Sequence, residues 1–335
     1  MHIGSHYPLL TFLKWTSGNL LRLLAIATVP TVLYAVFDVR WIVIPWVPVA
    51  LVGTAAAFIA GFRNTQTYNR LWEARKIWGA IVNDSRFWGV TSRDYVTDPG
   101  GDPERARAVH LRLNHRHIAW LTALRHQLRA PRPWENLTKS YNLEYKKAYG
   151  VPEWESDLGA DMAPYLTPDD LDYVMAKKNR ATQLLALQSA ELKELHANGW
   201  IAEFPYVQLL GVIKDFYTHQ GKAERIKNFP YPRQFTSINL FFVWLLSLLL
   251  PFGMLDQFAG LGEHAVWLTI PFTVIVGWVF TSLERVGEAT ENPFEGSPND
   301  IPMASLSRTI EIDMREMLEE AGIPEGIGAR NEIVM

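Results

Sequence analysis

The chain contains no cysteine. Disulfides, thiolate catalysis and Cys-based zinc sites are therefore excluded. It has no strong excess of either charge: 32 Lys and Arg against 35 Asp and Glu give a formal net charge of −3 over 335 residues. That balance gives no support to nucleic-acid binding. No P-loop, H-E-x-x-H, G-x-S-x-G or dinucleotide fingerprint appears, and nothing suggests a cofactor. Internal repeats, low-complexity stretches and strand patterns are missing too.

What the chain has is apolar sequence gathered into a few runs, which its 20% charged residues conceal on average. A bilayer-spanning helix needs roughly 20 mostly apolar residues. Leu20 to Phe37 carries only Arg22, and Trp41 to Phe62, Ile238 to Leu255 and Ala265 to Leu283 carry no charge. Pro30, Pro45, Pro48, Pro251 and Pro271 fall inside these runs. Membrane helices tolerate proline because neighbouring groups re-satisfy the freed carbonyl. Thirteen tryptophans suit an interface between lipid and water. A core helix in a soluble protein explains one such run, but not four. The first run begins about 20 residues in and is followed by no cleavage site, unlike a signal peptide.

The spans form two hairpins. Asp38, Val39 and Arg40 join the first pair, and Asp256 to His264 the second. Arg40 is the one lysine or arginine in these two loops, whereas Lys14, Arg22, Arg63, Arg70, Arg75, Lys76, Arg225, Lys227, Arg233 and Arg285 flank the opposite ends. The positive-inside rule then places both termini and the central region in the cytoplasm. The expected order is an N-terminal segment (1–19), hairpin one (20–62), a helical cytoplasmic domain (63–237), hairpin two (238–283) and a cytoplasmic C-terminal segment (284–335).

Span two is expected to continue as one helix through Trp72, Ile77, Trp78, Ile81 and Val82. Asp98 to Pro103 reads as a turn. Glu104 to Leu128 reads as a basic amphipathic helix with apolar Val109, Leu113, Ile118, Leu121 and Leu124, ended by Ala130 to Pro133. Ser140 to Pro168 looks irregular. Thr167 is a cap for a helix starting at Pro168 and carrying Leu171, Val174, Met175, Leu184, Leu185 and Leu187. Gly199 separates this from a helix running towards Ile226, and Phe229 to Pro232 leads into span three.

Two clusters invite a chemical reading. His115 and His117, with His110 and His126 nearby, resemble a metal site, but residues two apart on a helix diverge. Ordinary surface or interface histidines explain them. Glu284, Glu288 and Glu291 share a helical face past span four. They suit a cation, or pairing with Arg285 or with basic residues of the span-two extension. On the first reading the protein is a metal-dependent membrane enzyme; a non-conducting scaffold is a further alternative.

The segment GFRNTQTYNRLWEARKIWGAIVNDSRFWG, Gly61 to Gly89, resembles the bestrophin family in its bacterial branch. So do QGKAERIKNFPYP, Gln220 to Pro232, and the Asn292-Pro293-Phe294 motif after span four. Their order and spacing carry the likeness across most of the chain. The resemblance implies an all-α integral membrane protein assembled as a ring-shaped homopentamer in the bacterial inner membrane. Small monovalent ions, chloride above all, would pass through an apolar neck on span two and a second cytoplasmic constriction. Span two is rich in small residues, which let helices approach closely. Counting back from Arg63 and Gln66 puts the neck at Val47, Leu51 and Ala55, with Thr54, Phe58 and Phe62 as the competing face. Ala55 would widen the neck at its level. Ile213 is the candidate for the second constriction, with a core isoleucine as the alternative. Arg63, Gln66, Tyr68, Arg70, Trp72, Glu73 and Arg75 are expected to serve packing and subunit contact. Animal relatives carry an acidic calcium-binding run after N-P-F. Here Glu295-Gly296-Ser297-Pro298-Asn299-Asp300 has two interrupted carboxylates, so no calcium gating is expected. Asp38, Asp256 and Glu263, beside Arg40 and His264, make the outer mouth mildly acidic, which favours cations against the family's preference for anions.

Overall fold

Four helices are long and apolar enough to cross a membrane: α1 (Leu9–Ala35), α2 (Trp46–Tyr95), and two later ones, Arg233–Ala259 and Ala265–Ala289. Only 22% to 44% of their most apolar windows is buried within the chain. Many of their leucines, valines and phenylalanines face outward, among them Leu21, Val29, Phe58, Phe241 and Val279, the reverse of a soluble core and the arrangement lipid demands. The computed structural model describes residues 1–139, 142–143 and 146–335. Among them there is no β-strand, only isolated bridges such as His2 to Ile333.

Between the membrane hairpins lie α3 (Pro103–Arg129), α4 (Pro168–Met175), α5 (Arg180–Ala197) and α6 (Glu203–Asn228). Then come α7 (Arg233–Ala259), α8 (Thr269–Ala289) entered through a 3-10 turn at Ala265–Leu268, and α9 (Met303–Met317).

Of the five prolines expected inside spans, Pro30 and Pro251 lie in helix interiors. Pro45 caps α2, and Pro48 and Pro271 sit in the first turns of α2 and α8. A first turn has no intrahelical partner for its N–H groups, so proline costs nothing there. The spans pack closely where glycine allows. A Cβ at Gly277 of α8 would lie 2.6 Å from Leu23 of α1, and one at Gly253 of α7 would lie 3.0 Å from Val49 of α2.

Helix α2 runs unbroken for 50 residues, about 75 Å at 1.5 Å per residue. Its continuation past the membrane is longer than expected and supplies Ala74, Ile77, Trp78, Ile81 and Trp88 to a large core shared with α3, α5, α6 and α9. The expected turn before α3 is present. The Asp98 carboxylate accepts from the Asp102 N–H (3.0 Å), and Asp102 caps α3 by accepting from Glu104 and Arg105. Gly101 takes a φ of 74° there, a conformation natural to glycine.

Three expectations change. Helix α3 is amphipathic only in its first half; from Leu113 onward it is buried nearly all round, with Arg116 and Arg129 paired to internal carboxylates. The helix capped by Thr167, whose Oγ1 accepts from Asp170 (3.2 Å), ends at Met175. Asn179 then caps α5 by accepting from Thr182 (3.0 Å), so one expected helix is two. The stretch expected to be irregular begins at Ser140, which lies outside the described residues, and includes short helical turns at Pro152–Glu155 and Leu158–Met162. Gly199 (φ 76°) does separate α5 from α6, and Phe229 to Pro232 does lead into α7.

Candidate functional site

Helix α2 presents two unlike faces in its membrane half. Val49, Ala56, Ala60, Arg63 and Thr67 are buried against α7 and α8. Val47, Leu51, Thr54, Ala55, Phe58 and Phe62 are all exposed on the chain, with Leu51 at 67% and Phe58 at 75%. At 3.6 residues per turn these six fall within roughly 100° of arc, on the side away from the buried set. The two alternative faces read from the sequence are therefore neighbouring parts of one open arc, with Leu51 and Phe58 near its middle. The arc is apolar. The Thr54 hydroxyl donates back to the Ala50 carbonyl (3.0 Å) and turns no unsatisfied donor outward.

Just below this arc α2 is bolted to α8. Arg63, 1% exposed, donates from Nη1 to Glu284 Oε1 (2.9 Å) and from Nη2 to Glu291 Oε2 (3.0 Å). Arg233, at the start of α7, donates to the other Glu291 oxygen (3.0 Å) and to the Trp134 carbonyl (3.0 Å). Lys139 pairs with Glu288. Asn64 donates to the Leu283 carbonyl (3.1 Å), and Thr67 and Thr290 share a hydroxyl contact (3.0 Å). Gly287 makes this approach possible: a Cβ there would fall 2.3 Å from Asn64 Oδ1. The face Glu284, Glu288 and Glu291 is thus an ion-pair network with each carboxylate joined to a cation. Among the described residues no group of three or more His, Cys, Asp or Glu is placed to hold a metal.

The other motif residues also tie elements together. Arg70 donates to the Ile226 and Phe229 carbonyls at the end of α6. Glu73 pairs with Lys76 at 2.9 Å, and Tyr68 and Trp72 stack at 6.5 Å on the exposed side of α2, where Gln66 also faces out. Arg75 is half-buried. In the Asn292-Pro293-Phe294 turn, Phe294 is buried in the extramembrane core and Asn292 donates to Glu295 Oε2 (3.1 Å).

The loop after this turn is locked. Asp300 accepts from Arg129, from the Gly296 N–H (2.5 Å) and from the Ile301 N–H (2.6 Å). Burial pushes its carboxyl up, against the pull of Arg129. Burial pushes Glu295 up to about 8, helped by the nearby Asp300 and Glu135 carboxylates. Both carboxyl groups are buried where desolvation favours the neutral form, a poor set of ligands for a hard dication.

The histidines diverge as their spacing suggests. His110 meets the Val96 carbonyl (2.7 Å), His115 meets Glu320 (3.0 Å), His126 meets Asp161 (3.0 Å), and His117 meets the Ser85 hydroxyl (2.8 Å). Burial drives His117 down to about 3. Ile213 is a correction. It is 3% exposed and packs in the core, so it presents nothing to an open passage. The most exposed apolar residues of α6 are Phe204 (84%) and Val207 (59%), near its start.

Sequence reasoning took Arg233 only as an orientation charge and gave Lys139 no role. The signal for Arg233 was its place directly before an apolar run, opposite an acidic face after another.

These features define a helical membrane protein whose second span leaves the bilayer as a rod into a helical body. Residues 14–316 match the family described as Bacterial/Fungal Bestrophin protein, and the chain belongs to that family. It is 28% identical over 280 residues to the voltage-dependent anion channel-forming protein YneE of Escherichia coli K12, covering 84% of this chain and 79% of that one. It is 28% identical over 287 residues to the similarly named RSc3414 of Ralstonia nicotianae, covering 84% and 80%. The fold is similar to the crystal structure of a bacterial bestrophin homologue from Klebsiella pneumoniae, with a TM-score of 0.75 at 23% identity over 91% of this chain and 98% of that one.

Proposed function

We propose that the chain is one subunit of a ring-shaped homopentameric channel in the bacterial inner membrane, with both termini and the central helices cytoplasmic, and that it conducts small monovalent anions. The observation that carries this reading is the open apolar arc of α2. Lipid accepts such a face on any span, but on the span that the family resemblance makes pore-lining, five copies around an axis turn Leu51 and Phe58 each into a ring. An apolar ring gates by dewetting, because stripping water from an ion is costly. The arc spans both faces weighed from the sequence, so the neck comprises Leu51 and Phe58 flanked by Val47, Thr54, Ala55 and Phe62. Exposed Phe204 and Val207 at the start of α6 supply the second constriction.

Anion preference rests on the relatives' names. The outer mouth opposes it less than its composition suggests, since Arg40 pairs with Asp38 at 2.5 Å. The reading excludes calcium gating because the Glu295–Asp300 loop already spends its carboxyl oxygens internally or holds them protonated. The enzyme alternative loses its support to the Arg63 and Lys139 ion pairs. The exposed side of α2 from Gln66 to Lys76 is assigned to subunit contact.

The test is flux through purified protein in liposomes under asymmetric salt. A current reversing towards the chloride equilibrium potential, altered by Leu51→Glu, supports the reading. Silence from pentamers verified by mass returns the scaffold alternative.

A further inference from the structure

The apolar run from Leu20 to Phe37 holds one charge, Arg22, and its helix α1 contains no aspartate or glutamate. Helix α1 is 27 residues long, about 40 Å, against a hydrocarbon thickness of roughly 30 Å. Lys14, Gly18 and Arg22 are spaced four apart, so they line one ridge of the helix. All three are exposed. The opposite face, with Thr16, Asn19, Leu23 and Ala27, is buried, and α1 packs on α8 and α7. Helices α7 and α8 also pack on α2, so they stand between this ridge and the apolar arc.

Neither cation of the ridge is spent inside the chain. Among the described residues, none makes an ion pair or hydrogen bond with the Lys14 ammonium or the Arg22 guanidinium. Other basic residues near the ends of the spans are engaged: Arg63 and Arg233 hold Glu291, and Arg285 donates to the Trp15 carbonyl. A charge inside an apolar span is costly and is normally paired. Side chains lean towards the N-terminus of their helix, so the Arg22 guanidinium reaches back over Gly18. That space is empty: a Cβ at Gly18 would meet no atom within 4 Å. The ridge is thus a notch about 12 Å long with a cation at each end. Beyond it the same surface continues as exposed Leu21, Ala25 and Val29.

The notch joins two uncompensated positive charges to lipid-facing apolar surface. A phosphodiester supplies one negative charge and acceptor oxygens that a guanidinium meets in pairs. A zwitterionic headgroup brings an ammonium that both cations repel. We propose that Lys14, Gly18 and Arg22 form a binding site for an anionic phospholipid, its phosphate on Arg22 and Lys14, its glycerol over Gly18 and its acyl chains along Leu21, Ala25 and Val29. The site is independent of the channel reading, since binding is measured without current.

The full-length protein in neutral detergent is titrated with dioleoylphosphatidylglycerol or dioleoylphosphatidylcholine, and bound lipid is counted by native mass spectrometry. Phosphatidylglycerol should saturate one site per chain. At about fivefold per cation near a membrane surface, it should bind about 25-fold more tightly than phosphatidylcholine. Arg22→Gln and Lys14→Gln should each remove about fivefold of that preference, and the double variant all of it. Gly18→Leu keeps both charges and puts a better helix former into open space. It should melt no lower than the unaltered protein and still lose the preference, which carries the test if the charge variants fail to fold. Free glycerol 3-phosphate should not displace the lipid. Equal binding of the two lipids overturns the proposal, as does a preference that survives in the double variant or in Gly18→Leu. Displacement by glycerol 3-phosphate overturns it too, and assigns the notch to a soluble phosphate.

Discussion

Arg63 and Glu291 meet through Nη2 and Oε2 at 3.0 Å, each 1% exposed. Arg63 also holds Glu284 at 2.9 Å, so one guanidinium joins α2 to the end of α8 and to the turn that follows it. Removing one partner of a buried pair strands the other charge. Arg63→Ala should therefore destabilise the protein by about 3–5 kcal/mol, read as a lower melting temperature in detergent. Glu291→Gln should cost less, because an amide oxygen still accepts from Arg63 and Arg233. Equal losses in the two variants would count against the charge argument.

The register of α2 is tested by a contrast between its faces. Phe58→Ala lies on the open arc and should leave stability within about 0.5 kcal/mol while raising unitary conductance. Ala56→Leu, two residues away on the buried face, should cost about 1–3 kcal/mol through overpacking. A stable Ala56→Leu variant with altered conductance would place the neck on the other face.

Helix α6 offers a parallel contrast. Ile213→Ala should cost about 2–5 kcal/mol as a core truncation and leave the conductance of the surviving channels unchanged. Phe204→Ala should leave the melting temperature in place and shift permeability towards larger anions, measured from reversal potentials in mixed salts.

Two buried groups set the pH limits of stability. His117 has a folded pKa of about 3 against an ordinary 6.5. The unfolded chain binds the extra proton between those values, so stability is full above pH 6.5 and falls as pH drops below it. His117→Leu should flatten that acid limb, at the cost of the Ser85 contact. Glu295, raised to about 8 from 4.5, has the opposite sign. Its contribution is present below pH 4.5 and is lost as pH rises through 8. Glu295→Gln should flatten the alkaline limb, measured by melting temperature across pH.

The membrane architecture was readable because it is written in absence. About twenty apolar residues nearly free of charge have few fates, and four such runs have one. The unbroken passage of α2 into the extramembrane body was readable from Trp72 to Val82, which keep a helical period without proline and with Gly79 as the one weak helix former. The break between α4 and α5 was not. It falls at Lys177, Lys178 and Asn179, residues that helices accept, and is set by tertiary packing and the Asn179 cap. Helix α9 went unread because its apolar face, with Ile310 and Met314 buried, is sparse and follows an irregular loop. Ile213 was misplaced for a related reason. An isoleucine on an amphipathic helix looks the same whether it faces a core or a passage, and only the neighbours of α6 decide. The Glu284, Glu288 and Glu291 face was legible as a face, but its partners Arg63, Lys139 and Arg233 come from three distant parts of the chain.

The length of α2 gives the molecule a mechanical ratio. If the rod pivots at its Arg63 bolt, the arm towards Trp46 spans 17 residues and the arm towards Tyr95 spans 32, about 26 Å and 48 Å. Movement at the Tyr95 end then reaches the Trp46 end reduced about twofold and reversed in direction. Strain applied to the helical body is geared down before it reaches the apolar arc, and in the channel proposed above a small, stiff displacement there is what a dewetting gate needs.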